Sequence, residues 1–454
     1  MNNTDQIKAD NAKYLWHPMA HPGAMKKNAP DIIARGEGCY IWDVDGHKML
    51  DGVGGLWACN LGHSNQRVRG AIVAQMDELP FYNVFRGTSH LRAIELSARL
   101  VKMMEPEGVK AVMFSNGGSD AVEGALKVAR QYWKLKGQAD RFKFISLRQG
   151  YHGVHFGGMS VNGNTNFRRS YEPLLPGCFH IDTPWLYHNP YTNDPIKLGE
   201  ICAELLEREI VFQGPDTVAA FIAEPIQGAG GVIVPPANYW PLVRKICDKY
   251  GVLLIADEVV TGFGRSGELF GTRLWGVNAD MWCLAKGISS GYIPLGATAI
   301  GAKIADVFDA DTTGAASVSH GYTYSAHPVA AAAALATLDL IEELDIPAHA
   351  GRMGKRLHER LRDFTERFSF VGDVRGLGLM AGIEMVSDKA NRTPMPRTSD
   401  VPARVAKEAY RRGLMVRISG PNLILSPPLV MTFEEVDQMV DILEASFAAV
   451  EATL

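Results

Sequence analysis

The sequence predicts an α/β protein, a mostly parallel sheet covered on both faces, followed by a smaller α+β unit. Three observations predict it. From about residue 65, helical stretches such as Val68 to Glu78 and Leu91 to Met104 alternate with short β-rich runs. Those runs are nearly all apolar, as expected of strands buried on both faces. From about residue 328 the chain turns Ala-rich and helical, and then groups strand pairs with helices. At 454 residues it is also too long for one ordinary domain.

Taken in order, residues 1 to about 30 are polar and then Pro-rich, an ordered arm. Cys39 to Val44 and His47 to Leu50 form a hairpin around Asp45-Gly46. Gly52 to Asn60 is Gly-rich and carries Trp57, expected to be exposed. The main-sheet runs are Ala111 to Phe114, Lys143 to Leu147, Val218 to Ala223, Val252 to Ala256, Met281 to Ala285 and Ala297 to Ile300. Helices are expected at Val329 to Leu344, Arg352 to Phe368, Pro402 to Arg411 and Phe433 to Leu454. Val371 to Leu379 and Met380 to Met385 read as strands, and Leu414 to Arg417 with Asn422 to Leu425 as another hairpin. The chain divides at these changes into an N-terminal arm with a small-domain segment (1–64), a large domain (65–327) and a C-terminal small α+β domain (328–454).

Composition excludes several function classes. An apolar fraction of 46% with 21% charged residues is ordinary for a globular protein. The net charge of −4, without a basic run, argues against nucleic-acid and anionic-membrane partners. No apolar run approaches the roughly eighteen residues of a membrane span, and the N-terminus has no apolar signal core. The six cysteines are scattered without a CxxC, which points to reduced thiols in a cytoplasm.

Three stretches carry chemistry. Met281 to Ala285 is a buried strand ending in Lys286. Desolvating an ammonium is costly. Two readings follow: a lysine that snorkels to the surface, or one whose pKa is lowered so that its amine attacks a carbonyl and forms a Schiff base. Ser115 to Arg130 (SNGGSDAVEGALKVAR) is a strand end, a glycine turn and a helix. Gly117 and Gly118 let backbone approach a ligand, and Ser119 can cap the helix with Asp120 in its first turn. Such a terminus binds a single phosphate, or is an ordinary capped helix. Gly251 to Arg265 is an apolar strand ending in Asp257-Glu258, where α/β sheets bind ligands. One strand-helix-strand step from Asp257 would bring Lys286 to the same sheet edge.

Two motifs are set aside. Gly287 to Gly291 matches GxSxG, but no helix follows the serine, as a serine hydrolase requires. His152 and His155 have no third ligand at metal spacing, so no metal is expected. A phosphate cradle, a strand-end aspartate and a strand-end lysine are together the parts that hold pyridoxal phosphate.

With SNGGSDAVEGALK, AEPIQGAGG, ADEVVTGFGR, LAKGISSGYIPLGA and HGYTYSAHP in this order, the chain resembles the class III (omega) aminotransferases. The resemblance runs from Trp16-His17-Pro18 through Ser426-Pro427-Pro428. It implies fold type I of the pyridoxal-phosphate enzymes, with a seven-stranded sheet in the large domain, and makes Lys286 the Schiff-base lysine. Gly118 and Ser119 match the phosphate-binding turn, Tyr151 the aromatic stacked on the cofactor ring, Asp257 the pyridinium partner and Val259 the residue on the other face. Tyr322 and Thr323 match residues that reach a neighbouring subunit's phosphate, which implies a homodimer or tetramer with shared sites. Glu224 and Arg417 match a carboxylate-arginine pair at the substrate entrance, and Trp57 a wall residue of the amine:pyruvate branch. Val260 stands where the ornithine branch carries glutamine, which turns the expectation away from ornithine and 4-aminobutyrate. The implied reaction is ping-pong transamination of an omega-amino acid or a primary amine or diamine, such as beta-alanine or putrescine, with pyruvate becoming L-alanine. The alternatives are an aminomutase with the same cofactor or an aminotransferase that uses 2-oxoglutarate.

Overall fold

The computed structural model of the protein describes residues 3–454. Sixteen strands make three sheets. In the N-terminal part, β1 (Ile33–Glu37), β2 (Tyr40–Asp43) and β3 (Lys48–Asp51) pair antiparallel, and Gly46 turns the second hairpin at φ +86. The main sheet holds β4 (Val109–Ser115), β5 (Lys143–Leu147), β6 (Cys178–Ile181), β7 (Val218–Ala223), β8 (Leu253–Asp257), β9 (Met281–Leu284) and β10 (Gly296–Gly301). The C-terminal part adds β11 (Val371–Gly376), β12 (Ala381–Asp388), β13 (Thr393–Pro394), β14 (Leu414–Met415), β15 (Arg417–Ser419) and β16 (Asn422–Leu425).

The main sheet runs β4-β10-β9-β8-β7-β5-β6, and only β10 opposes its neighbours. The expected seven-stranded, mostly parallel sheet is therefore present. Its centre is buried on both faces, and the alternation along each strand shows how. Ala220, Ile222, Leu253, Ile255, Met281 and Cys283 pack with the helix Gly118–Leu135. Phe221, Ala223, Leu254, Ala256, Trp282 and Leu284 pack on the other face, with the helices Pro195–Gln213 and Tyr239–Tyr250. Successive side chains of a strand point to opposite faces, so a sheet covered by helices on both sides needs unbroken apolar strands.

The structure departs from the sequence expectations in four places. β6 has no counterpart among the expected runs, because its residues CFHI are half-buried at the sheet edge and include a histidine. β1, whose residues IARGE are mostly exposed, likewise has none. The Leu414 to Arg417 run is not one strand. Its first half, β14, pairs parallel with β3, and its end begins β15, which pairs with β16. Arg352 to Phe368 splits into the helices Ile346–Leu361 and Phe364–Arg367. Among the described residues no helix is long and apolar enough to cross a membrane.

One buried cation ties distant segments together. Arg265 is 0% exposed and donates from Nη1 to the carbonyls of Leu379 (3.0 Å) and Pro427 (2.9 Å), and from Nη2 to Asn60 Oδ1 (3.0 Å). It thus joins the segment after β3, the turn before β12 and the turn after β16. Each buried acceptor left without its donor costs about 1–3 kcal/mol. We expect Arg265→Ala to lower unfolding stability by about 3 kcal/mol, read from the denaturant midpoint. An unchanged midpoint would show that water replaces the guanidinium at no cost.

Candidate active site

Asp257 ends β8, level with Cys283 of β9. The alternation turns its side chain to the face covered by the helix Gly118–Leu135. The residue is 3% exposed, and a carboxylate so placed must be hydrogen-bonded. Oδ1 accepts from the Val259 amide (3.1 Å), and Oδ2 pairs with His152 Nδ1 at 2.8 Å. An ionised carboxylate only accepts, so the His152 proton sits on Nδ1. His152 Nε2 is buried with no partner among the described residues.

Lys286 follows β9 by two residues and opens a short 3-10 turn, Lys286–Ser289, at φ +48. It therefore stands at the same carboxyl edge as Asp257. Burial pushes its amine down to about 8, against the upward pull of Asp257 and Glu224, and Arg417 and Arg265 push it further down. The crossover between the two residues is not the expected helix. Gly262, Gly264, Gly267 and Gly271 interrupt it, and its one helical piece is the 3-10 turn Gly271–Trp275. Glu258 holds this crossover from within: it accepts from the amides of Gly271 and Thr272 at 2.8 Å each and from the Thr261 hydroxyl at 2.5 Å. Ser289, centre of the GxSxG match, donates to the Ile293 carbonyl at 2.7 Å and only closes its turn.

The helix Gly118–Leu135 begins beside this edge. Its N-cap is Gly117 and no side chain caps it, so Ser119 is not the expected cap. Asp120 instead accepts from the Asn116 amide (2.9 Å), outside the helix. The uncapped first-turn amides and the macrodipole form an anion site. A Cβ on Gly118 would stand 2.8 Å from Val259 Cγ1, so Val259 packs onto this turn because no side chain is there. Ser119 Oγ accepts from the Val154 amide (3.2 Å), which joins the Tyr151–Val154 loop to the helix start.

Tyr151 is half-buried, with Phe167 edge-on at 5.3 Å. Glu224 is 5% exposed, and burial raises its carboxyl to about 7. Its oxygens accept from the amides of Tyr151 (2.9 Å) and Gly228 (2.8 Å). The expected Glu224–Arg417 pair is absent. Arg417, half-buried on β15, has no ion pair among the described residues; burial lowers its pKa, and Tyr151 is the titratable neighbour that opposes the shift. Trp57 is not exposed but 3% accessible, packed with Ile226, Val232, Met380 and Ile424, with Val260 against the cluster. Tyr322 is half-buried, its hydroxyl raised by burial and by Asp120 and Glu123 of the same chain, and Thr323 is exposed.

Residues 23–447 match the family model described as Aminotransferase class-III. The chain belongs to the class III aminotransferases. It is similar to a putrescine--pyruvate aminotransferase of Pseudomonas aeruginosa, 40% identical over 412 residues, 90% of this chain and 88% of that protein. Gamma-aminobutyrate transaminase 1, mitochondrial, of Oryza sativa subsp. indica is 37% identical over 424 residues, 93% of this chain and 82% of that one. Among solved structures, an amine transaminase from an uncultivated Pseudomonas species in its PLP-bound form is 52% identical, with 96% of this chain and 99% of that chain covered and a TM-score of 0.95.

In this aminotransferase the residue that sequence reasoning missed is His152, weighed there only as a metal ligand. Its signal was its place next to Tyr151; its partner lies 105 positions away. The lysine gives a direct test. An amine pushed down to about 8 is mostly neutral above pH 8 and protonated below it. In the cofactor-free aminotransferase, the rate at which a small aldehyde adds to Lys286 should rise about tenfold per pH unit below 8 and level off above it. Peptide mass mapping after borohydride trapping reads that rate. A rate still climbing at pH 10 would mean that the amine is not desolvated.

Proposed function

We propose that this aminotransferase moves the amino group of an omega-amino acid, primary amine or diamine to pyruvate, giving L-alanine, with Lys286 and Asp257 at its chemical centre. One observation carries the reading: a buried lysine amine, pushed down to about 8 at the carboxyl edge of the sheet, beside a buried carboxylate held by an imidazole. Class III aminotransferases are pyridoxal-phosphate enzymes, and the residues here fit that group. A helix start without a side-chain cap suits its phosphate, and the buried Asp257 suits its ring nitrogen.

Bound pyridoxal phosphate supplies an aldehyde that takes up the donor nitrogen and a ring that draws electrons from the donor carbon. The chain's own residues do the rest. Amides of Gly118 and Ser119 and the Ser119 hydroxyl hold the phosphate. Tyr151 and Val259 cover the two faces of the ring. Asp257 keeps a proton on the ring nitrogen, and His152 donates to Asp257 and fixes its direction. Lys286 Nζ would bind the cofactor's aldehyde carbon and, once displaced by the donor, would carry the proton from the donor carbon and back. Trp57 lies in the apolar cluster on the Val260 side, where a donor's carbon chain would lie.

The acceptor's carboxylate needs a cation, and Arg417 has no ion pair among the described residues while Glu224 is committed to two backbone amides. The putrescine--pyruvate relative supports a diamine donor and pyruvate. The gamma-aminobutyrate transaminase relatives support omega-amino acids in the donor class. Exposed Phe81, Tyr82, Phe85, Leu91, Ile94 and Tyr324 support a homodimer, with Tyr322 and Thr323 near the shared edge. The six free cysteines are in keeping with a cytoplasmic enzyme.

Lys286→Ala should lose both the visible absorbance of lysine-bound cofactor and nearly all turnover, since attacker and proton carrier are one group. Wild-type turnover in that variant would overturn the assignment. Asp257→Asn should still bind cofactor through the phosphate but transaminate slowly, since an amide cannot hold the ring proton; unchanged kinetics would assign the ring nitrogen to another group.

The substrate reading is tested by the two half-reactions, measured separately by stopped flow. Arg417→Ala should weaken the pyruvate and alanine half by about 2–4 kcal/mol in transition-state terms and change the half with a simple amine much less. Equal losses in both halves, or none with pyruvate, would show that Arg417 is not the carboxylate anchor. Faster turnover with 2-oxoglutarate than with pyruvate would replace the acceptor. Isomerisation of an amino acid with no acceptor added would make the enzyme a mutase.

A further inference from the structure

Arg417 is one end of a row of residues that crosses the C-terminal sheet, and a second arginine is the other end. Arg417 of β15 stands opposite Ile424 of β16, Ile424 opposite Gly382 of β12, and Gly382 opposite Arg375 of β11. Two positions along each strand, the next row is Ser419, Asn422, Glu384 and Asp373. Directly opposed residues of antiparallel strands share a face, and residues two apart on a strand share it too. Both rows therefore lie on one face. Ile424 packs there with Trp57, Ile226 and Val232, so this face is turned to the proposed site.

Arg375 is tied down along that face. Its side chain is 10% exposed, with the Trp185 ring centroid 4.8 Å from Cζ. Nη1 donates to Asp373 Oδ2 (2.7 Å) and Glu384 Oε2 (2.9 Å). Nη2 donates to Asn422 Oδ1 (2.6 Å), and Nε to the Gly231 carbonyl (2.8 Å). Glu384 is 0% exposed and also accepts from His188 Nε2. Two missing side chains make the room. A Cβ on Gly382 would stand 2.6 Å from the Gly231 carbonyl oxygen, and one on Gly231, at φ +123, would stand 2.8 Å from Arg375 Nη2.

These bonds hold two segments of the proposed site together. Gly231 closes a turn on the Gly228 carbonyl (3.1 Å), and the Gly228 amide is one of the two that Glu224 accepts from. Asn422 opens β16, and its Nδ2 donates to the Ser419 carbonyl (3.3 Å) across the Gly420-Pro421 turn. Ser419 Oγ in turn donates to the Ala229 carbonyl (3.2 Å). The Arg375 guanidinium thus reaches past β12 and fixes the β15–β16 hairpin against the loop after Glu224. An edge strand of three residues with three paired positions gains most from such a tie. The bonds fix the backbone of Arg417, and its own guanidinium enters none of them.

We propose that Arg375 is a positioning residue for the acceptor: it sets where Arg417 stands, and so the affinity for the acceptor's carboxylate, without touching substrate or cofactor. This role rests on Arg417 being the carboxylate anchor. It requires the fork of a guanidinium. Lysine at position 375 keeps a cation beside Asp373 and Glu384, so no buried carboxylate is stranded. One ammonium, however, cannot match the fixed fork that serves Gly231 and Asn422 as well.

The two half-reactions of the holoenzyme are measured by stopped flow in Arg375→Lys, Asn422→Ala and Arg417→Ala, and in each of the first two combined with Arg417→Ala. In Arg375→Lys the pyruvate half should lose about tenfold or more, because a displaced anchor costs that much. The loss should appear in the apparent Kd for pyruvate, with the simple-amine half changed by less than about twofold. The double variant should lose no more than Arg417→Ala alone, since the group being positioned is already gone. An arginine that only supports the fold would instead add its loss to that of Arg417→Ala and slow both halves. Asn422→Ala leaves Arg375 with both carboxylates and should show the same pattern; it decides if Arg375→Lys does not fold. Losses that multiply in the double variant, or equal losses in both halves, overturn the proposal. A weakened pyruvate half in Arg417→Ala beside a normal one in the other two single variants removes this proposal alone. A normal pyruvate half in Arg417→Ala removes the anchor reading and this proposal with it.

Discussion

The bond between Asp257 and His152 is the constraint on which the site depends. A carboxylate that is 3% exposed stays ionised only if its oxygens are satisfied, and the Val259 amide alone leaves one side open. His152 closes it, but only from a loop that must come close to the helix start. Gly153, at φ +88, makes that possible, since a Cβ there would lie 2.5 Å from Ser119 Oγ. One hydrogen bond therefore fixes three elements at once: the end of β8, the loop that carries Tyr151, and the first turn of the helix Gly118–Leu135. These three elements then form a single rigid unit, which is what the proposed anchoring of a cofactor at both ends requires.

Against that rigid half stands a softer one. Glu224 spends both oxygens on backbone amides, and burial keeps its carboxyl near neutrality. Arg417 lies on a three-residue strand of another sheet and has no acidic partner among the described residues. The proposed cofactor groups come from the centre of the main sheet, and the arginine proposed for the acceptor comes from the C-terminal sheet. Such a division suits the proposed donor and acceptor, which would exchange one amino group at one place but differ in whether they bring a carboxylate there.

Charges that interrupt apolar runs were legible in the sequence. Asp257 ends a strand and Lys286 follows one by two residues, each strand having no other charged residue, and the six strand runs found by hydrophobicity all lie in the main sheet. Features set by distant partners were not. His152 pairs with a residue 105 positions away, so its sequence neighbourhood offers only a metal reading. Trp57 is covered by Ile226, Met380 and Ile424, and a Gly-rich flank makes it look exposed. Glu224 and Arg417 follow a family pattern, yet local backbone amides claim the carboxylate first. Leu414, Met415 and Val416 are uniformly apolar and give no sign that the run to Arg417 is shared between two sheets.

That sharing has a consequence for the order in which the chain is made. β3 completes its pairing with Leu414 and Met415, and Asn60 receives its bond from Arg265, which is itself held by Leu379 and Pro427. A ribosome adds about 5–20 residues per second, so the first sixty residues wait roughly 20–70 seconds for the strand that seals them. Until then the nascent N-terminal sheet has an open edge, while the main sheet can assemble ahead of it. Translation thus finishes the lysine turn last, and an aminotransferase stalled before residue 414 carries its chemical groups without the scaffold that aligns them.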